Sequence, residues 1–175
     1  MMILRNLLPL TLLLFAGLPA AHGNEWIAEN TTISPEDALA KMPAPFHAEY
    51  RVKVLIARGK AVLTLDHADD GDYRFATSLA ATGVWKALAR GGLSEVTVFD
   101  LKPSYPQTIN YSLINEFGSR PRNGEYEFLW DEGVARGIYK DKPIELPINN
   151  QVMDRSLLPI RMMHDLASGR RPTIY

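Results

Sequence analysis

From Phe46 onward apolar side chains fall on every second residue, and this alternation constrains the fold more than any other feature. Phe46, Ala48, Tyr50, Val52, Val54 and Ile56 alternate with His47, Glu49, Arg51, Lys53 and Leu55. A period of two sends neighbouring side chains to opposite faces, so the run reads as a half-buried strand. Arg58-Gly59-Lys60 reads as its turn, and Ala61, Leu63 and Leu65 as the next strand. Asp69-Asp70-Gly71-Asp72 supplies hairpin chemistry, and Tyr73, Phe75, Thr77, Leu79 and Ala81 form a third strand. Residues 82–92 are less regular. Val84, Trp85, Ala87 and Leu88 suit one helical turn or a bulged strand, ended by Gly91-Gly92.

Leu93 to Leu101 reads as a strand, Lys102 to Pro106 as a corner where proline forbids regular pairing, and Gln107 to Ile114 as the return. Arg120 to Gly124 is a loop. Glu125–Trp130 and Val134–Tyr139 pair across Asp131-Glu132-Gly133, and Lys142–Ile148 is a last extended run. The period then becomes helical. Ser156, with Pro159 three residues on, opens a helix to about Ala167, stopped by Gly169. Leu157, Ile160, Met163 and Leu166 fall on one face, with Leu158 and Met162 alongside. One amphipathic helix after about eight strands predicts a mainly β fold, a curved antiparallel sheet packed on a helix near the C-terminus.

Residues 1–23 have the order of a cleavable secretory leader: Arg5, the apolar run Leu7–Leu18, Pro19, then the small residues Ala21 and Gly23. The run is about twelve residues, short of the ~20 that span a bilayer as a helix. No later run is long enough, so no transmembrane segment is expected after cleavage. The 175 residues then divide into a leader (1–23), a polar segment (24–45) and one β-rich domain (46–175). In the polar segment Ser34-Pro35-Glu36-Asp37 is a helix start. Ala38, Leu39 and Met42 offer little apolar surface, so this short helix is expected to dock weakly and end before Pro43.

Composition removes several function classes. There is no cysteine, hence no disulfide, thiol catalysis, thiolate metal site or lipid-bearing cysteine. The net charge of −1 gives no general pull toward nucleic acid or anionic membrane. His47, His67 and His164 are far apart and read as surface residues rather than metal ligands. Asp66 to Asp72 lacks the spacing and final Glu of a calcium loop and reads as a turn. Ser78, Ser94, Ser112 and Ser156 have structural explanations, and no Gly-x-Ser-x-Gly is present. Glu49, Glu95 and Asp100 are placed on polar strand faces. No catalytic residue, metal or cofactor is expected.

The aromatic residues recur on the strands. If the sheet curves, Tyr50, Phe75, Phe99, Tyr111 and Trp130 line a pocket for an apolar ligand; otherwise they are core beneath the helix. The sequence leaves both open. Asp154 and Ser156 are assigned to capping the helix start, with Ser156 as the cap.

The run Phe46-His-Ala-Glu-Tyr50-Arg-Val52, with Gly59, resembles the opening of the bacterial exported proteins grouped as domain of unknown function 3108. Leu101-Lys102-Pro103 is similar to that family's Leu-x-Pro corner. Phe128-Leu129-Trp130-Asp131 with Gly133 is similar to its aromatic-Asp hairpin, and Asp154-Arg155-Ser156-Leu157 to its helix start, tightened by one residue. The likeness runs from about Phe46 to Tyr175. It implies an architecture similar to periplasmic lipoprotein carriers, in which a half-open barrel holds acyl chains beneath a helix. The family's members usually continue by several strands, so the strand-like Thr173-Ile174-Tyr175 suggests a chain cut short. The expectation is a periplasmic, non-enzymatic protein that binds an apolar or lipid-like ligand. The alternatives are a scaffold or assembly factor for another envelope protein and, more remotely, a cell-envelope hydrolase.

Overall fold

Eight strands pair with their sequence neighbours in one antiparallel sheet, in the order β1 to β8, and the sheet does not close. The structure is a computed structural model that describes residues 34–89, 91–101, 105–118, 121–150 and 152–170. Residues 1–23, read above as a leader, most of the polar segment, the Lys102–Ser104 part of the corner and the terminal Thr-Ile-Tyr lie outside the described residues. The strands are β1 (Phe46–Val54), β2 (Ala57–His67), β3 (Tyr73–Ala81), β4 (Gly92–Leu101), β5 (Pro106–Asn115), β6 (Gly124–Leu129), β7 (Val134–Tyr139) and β8 (Lys142–Pro147). Three helices accompany them: α1 (Pro35–Ala40), α2 (Trp85–Ala89) and α3 (Leu158–Ala167). The expected mainly β class, with an antiparallel sheet and one helix near the C-terminus, is what the chain adopts.

The first hairpin turns earlier than expected. Val54 pairs with Ala57, leaving Leu55-Ile56 as the loop, and Leu55 takes φ 54°. Gly59 lies inside β2 instead. A Cβ there would sit 2.9 Å from the Ala80 carbonyl oxygen, so the glycine permits a close strand approach rather than a turn. Asp69–Gly71 is a single 3₁₀ turn joining β2 to β3. The β7–β8 hairpin has both loop residues, Lys140 and Asp141, at positive φ, matching the twist of its strands.

Cross-strand partners share a face. Following Phe46↔Leu65, Leu65↔Phe75, Phe75↔Thr97, Thr97↔Tyr111 and Tyr111↔Tyr126 across the sheet puts these residues on one side. α1 and α3 pack on that side. Leu65, Tyr73, Phe75 and Phe99 form the core with Leu157 and Ile160 at the start of α3, and Met42, Phe46, Leu63 and Leu101 pack around them.

The buried stripe of α3 differs from the one expected. Leu157 and Ile160 are buried, but the stripe continues through His164 and Asp165, while Met163 and Leu166 are exposed. The cause is α1. Ser34 caps it by accepting a hydrogen bond from Asp37 N at 3.1 Å. Ala38 is fully buried, and its carbonyl lies 3.0 Å from His164 Nε2. A carbonyl only accepts, so Nε2 carries the hydrogen and donates. His164 is therefore a core residue and not a surface one, and α1 is tied into the core rather than loosely docked.

Candidate functional site

Two carboxylates lie on the inner face, where the alternation alone suggested only one polar surface. β4 runs Glu95, Thr97, Phe99 along the face that the helices cover, and Glu95 is 6% exposed. Its placement on a polar strand face is thus corrected. Tyr111 OH donates to Glu95 Oε1 at 2.5 Å, and Arg155 Nε approaches the same oxygen at 2.6 Å. Burial, and the Glu95 carboxylate beside it, hold the Tyr111 phenol far above its usual range. The bond to Glu95 likewise raises the Arg155 guanidinium.

Asp154 is the second carboxylate. Thr97 Oγ1 donates to its Oδ1 at 2.9 Å and Thr108 Oγ1 to its Oδ2 at 2.6 Å. The backbone N–H groups of Ser156 and Leu157 donate to Oδ1 at 2.8 and 3.0 Å. Burial pushes the Asp154 carboxyl above its ordinary value, although these four hydrogen bonds favour the charged form.

A bulge makes this geometry. The β4–β5 register shifts between Val98 and Phe99, so Val98 pairs with Asn110, Phe99 with Thr108, and Ile109 has no partner. The extra residue turns Thr108 onto the inner face beside Thr97, within reach of Asp154. Trp130 Nε1 then donates to the Thr108 carbonyl at 2.7 Å.

The helix-start assignment divides between its two residues. Asp154 supplies the acceptor for the orphan N–H groups. Ser156 does not act as the cap: Leu157 is the residue before the first helical turn, and Ser156 Oγ is buried with no hydrogen-bond partner among the described residues. The Asp154 carboxylate already occupies the position that a serine cap would fill.

The five aromatic residues expected to line one pocket are not brought together. Phe75 and Phe99 are sealed in the core beneath α3. Tyr50 is 54% exposed on β1. Tyr111 and Trp130 are half-buried on the other flank of the same face. There Tyr111 stacks on Tyr126 with centroids 6.0 Å apart, and Phe128 on Trp130 at 5.7 Å. Tyr126, Phe128 and Tyr139 are half-buried as well. They alternate correctly for this surface, but only the pairing of β5, β6 and β7 puts them together.

No group of three or more His, Asp or Glu among the described residues is arranged to hold a metal ion. No helix among them is long and apolar enough to cross a membrane. No protein-family model, curated protein or solved structure matches the chain.

Proposed function

We propose that this protein is an exported binding protein of the cell envelope that takes an apolar or amphipathic ligand on the aromatic flank of its inner sheet face. The observation that supports this is the surface of Tyr111, Tyr126, Phe128, Trp130 and Tyr139. These side chains, on β5–β7 and in the turn after β6, share one face and are half-buried rather than sealed, and four of them stack as Tyr111–Tyr126 and Phe128–Trp130. Aromatic rings with a polar tip offer apolar area to a ligand body and a hydroxyl to a headgroup. The Glu95 and Asp154 carboxylates beside them are engaged by internal donors, which favours binding over acid–base turnover. The leader-like residues 1–23 and the resemblance to the domain of unknown function 3108 support a periplasmic location.

Native mass spectrometry of protein recovered from the periplasmic fraction, with organic extraction, tests the reading. The expected result is a co-purifying apolar molecule that a Tyr126→Ala/Phe128→Ala variant fails to retain while melting at a similar temperature. An empty wild-type protein that lipid probes do not stabilise would overturn it. Cross-linking of that empty protein to another envelope protein would transfer the function to a scaffold or assembly factor.

A further inference from the structure

The two edges of the open sheet are chemically unlike. β8 is a six-residue strand that contains Pro143 and Pro147, which have no N–H to offer a further strand. Such an edge is protected against pairing. β1 is nine residues long, contains no proline, and among the described residues pairs only with β2.

Its sequence, FHAEYRVKV, sets an acid and a base symmetrically about Tyr50, with apolar residues beyond them on the other face. In an antiparallel pair of two copies centred there, Glu49 of each faces Arg51 of the other. Ala48 faces Val52, Phe46 faces Val54, and the two Tyr50 rings meet on the axis. His47 faces Lys53. Moving the axis by one residue sets Glu49 against Glu49, or sets Arg51 against Arg51 with Glu49 facing Lys53, so only the register about Tyr50 joins both Glu49–Arg51 pairs with no like charges on the axis.

Arg51 also lacks what the second copy would bring. Its cross-strand neighbour in β2 is Lys60, a like charge, and it has no carboxylate partner among the described residues. Lys60 is itself held by Glu49 at 2.5 Å. Continued past Val54, the same register lays Leu55 and Ile56 opposite Pro45 and Ala44 of the other copy. Leu55 and Ile56 are 88% and 74% exposed, and they occupy a tight turn where small or polar residues are usual.

We propose that β1 is a homodimerisation edge, on which a second copy of this chain pairs antiparallel about Tyr50 and joins the two sheets into one. The surface is separate from the aromatic flank of β5–β7, so either proposal stands without the other.

Sedimentation of the purified protein, alone and as charge variants, tests it. The wild type is expected to sediment at twice the monomer mass. Arg51→Glu sets two pairs of carboxylates face to face, and Glu49→Arg two pairs of guanidinium groups; each is expected to weaken the dimer by about tenfold or more. An equimolar mixture of the two variants restores both attractive pairs and is expected to recover the dimer as a heterodimer. A monomeric wild type, a variant that dimerises as tightly as wild type, or a mixture that stays monomeric overturns the proposal. If Glu49→Arg fails to fold for want of its bond to Lys60, Arg51→Glu decides alone, since it places a carboxylate opposite Lys60 and is expected to keep the wild-type circular dichroism spectrum.

Discussion

Asp154 accepts a hydrogen bond from Thr97 at 2.9 Å across 57 positions of sequence, and through it the start of α3 is fastened to the middle of the sheet. The same carboxylate takes Thr108 and two backbone N–H groups. Replacing it by alanine strands two hydroxyls and two amides in a buried site. Asp154→Ala is expected to cost about 2–4 kcal/mol. Asp154→Asn keeps one acceptor oxygen and costs less. Ser156→Ala removes a hydroxyl without a partner and is expected to change stability by about 0.5 kcal/mol or less. Urea unfolding of the three variants measures the order, and a Ser156→Ala loss as large as that of Asp154→Ala would refute the assignment.

The raised Asp154 carboxyl has a consequence for pH. A group whose folded value lies above its ordinary value of 3.8 favours the folded state most when protonated. Its contribution is full below that ordinary value and is lost as pH rises through the higher folded value. Wild type is therefore expected to lose stability relative to the non-titrating Asp154→Asn across that window. Parallel urea titrations at stepped pH give the difference curve, and a curve that is flat or of opposite slope would contradict the burial argument.

Tyr111 is expected to ionise only after the protein opens. Burial raises the Tyr73 and Tyr126 phenols as well, so absorbance titration should show the same native alkaline amplitude for wild type and Tyr111→Phe, the variant losing one phenolate only from the amplitude of the unfolded protein.

The aromatic residues divide into two energetic classes. Phe75→Ala and Phe99→Ala open cavities beneath α3 and are expected to cost about 3–5 kcal/mol each. Tyr50→Ala, at a site 54% exposed, is expected to fall within about 1 kcal/mol. Thermal melts of the three proteins test this division directly.

Gly137 is a packing requirement of the β6–β7 pair. A Cβ there would run into the Glu125 carbonyl oxygen, which belongs to the backbone of the neighbouring strand. Gly137→Ala is expected to destabilise by about 1–3 kcal/mol, read by chemical denaturation.

Much of the sheet was legible because its signals are local. Alternation marked β1 and β3, Asp-Gly chemistry marked the β2–β3 connection, and Pro159 with Gly169 bracketed α3. The first turn was misplaced because Gly59 is a turn residue by composition, while its use here is the close approach of Ala80, a contact with another strand. Leu55, which does make the turn, has no turn chemistry of its own. His164 was assigned to the surface because the carbonyl it satisfies, that of Ala38, lies 126 positions away.

By itself the sequence determined that strands succeed one another as antiparallel neighbours, that one helix follows them, and that aromatic residues recur along the strands. These follow from backbone sterics and side-chain period, which act within a few residues. Only the tertiary structure decided which aromatic rings are core and which stay half-buried, that Glu95 lies inward, and that Thr108 reaches Asp154. Those outcomes depend on where α3 lands and on the unpaired Ile109, whose bulge reverses the faces of β5 beyond it. Neither leaves a mark in the local period, because burial and register are set by partners distant in the chain.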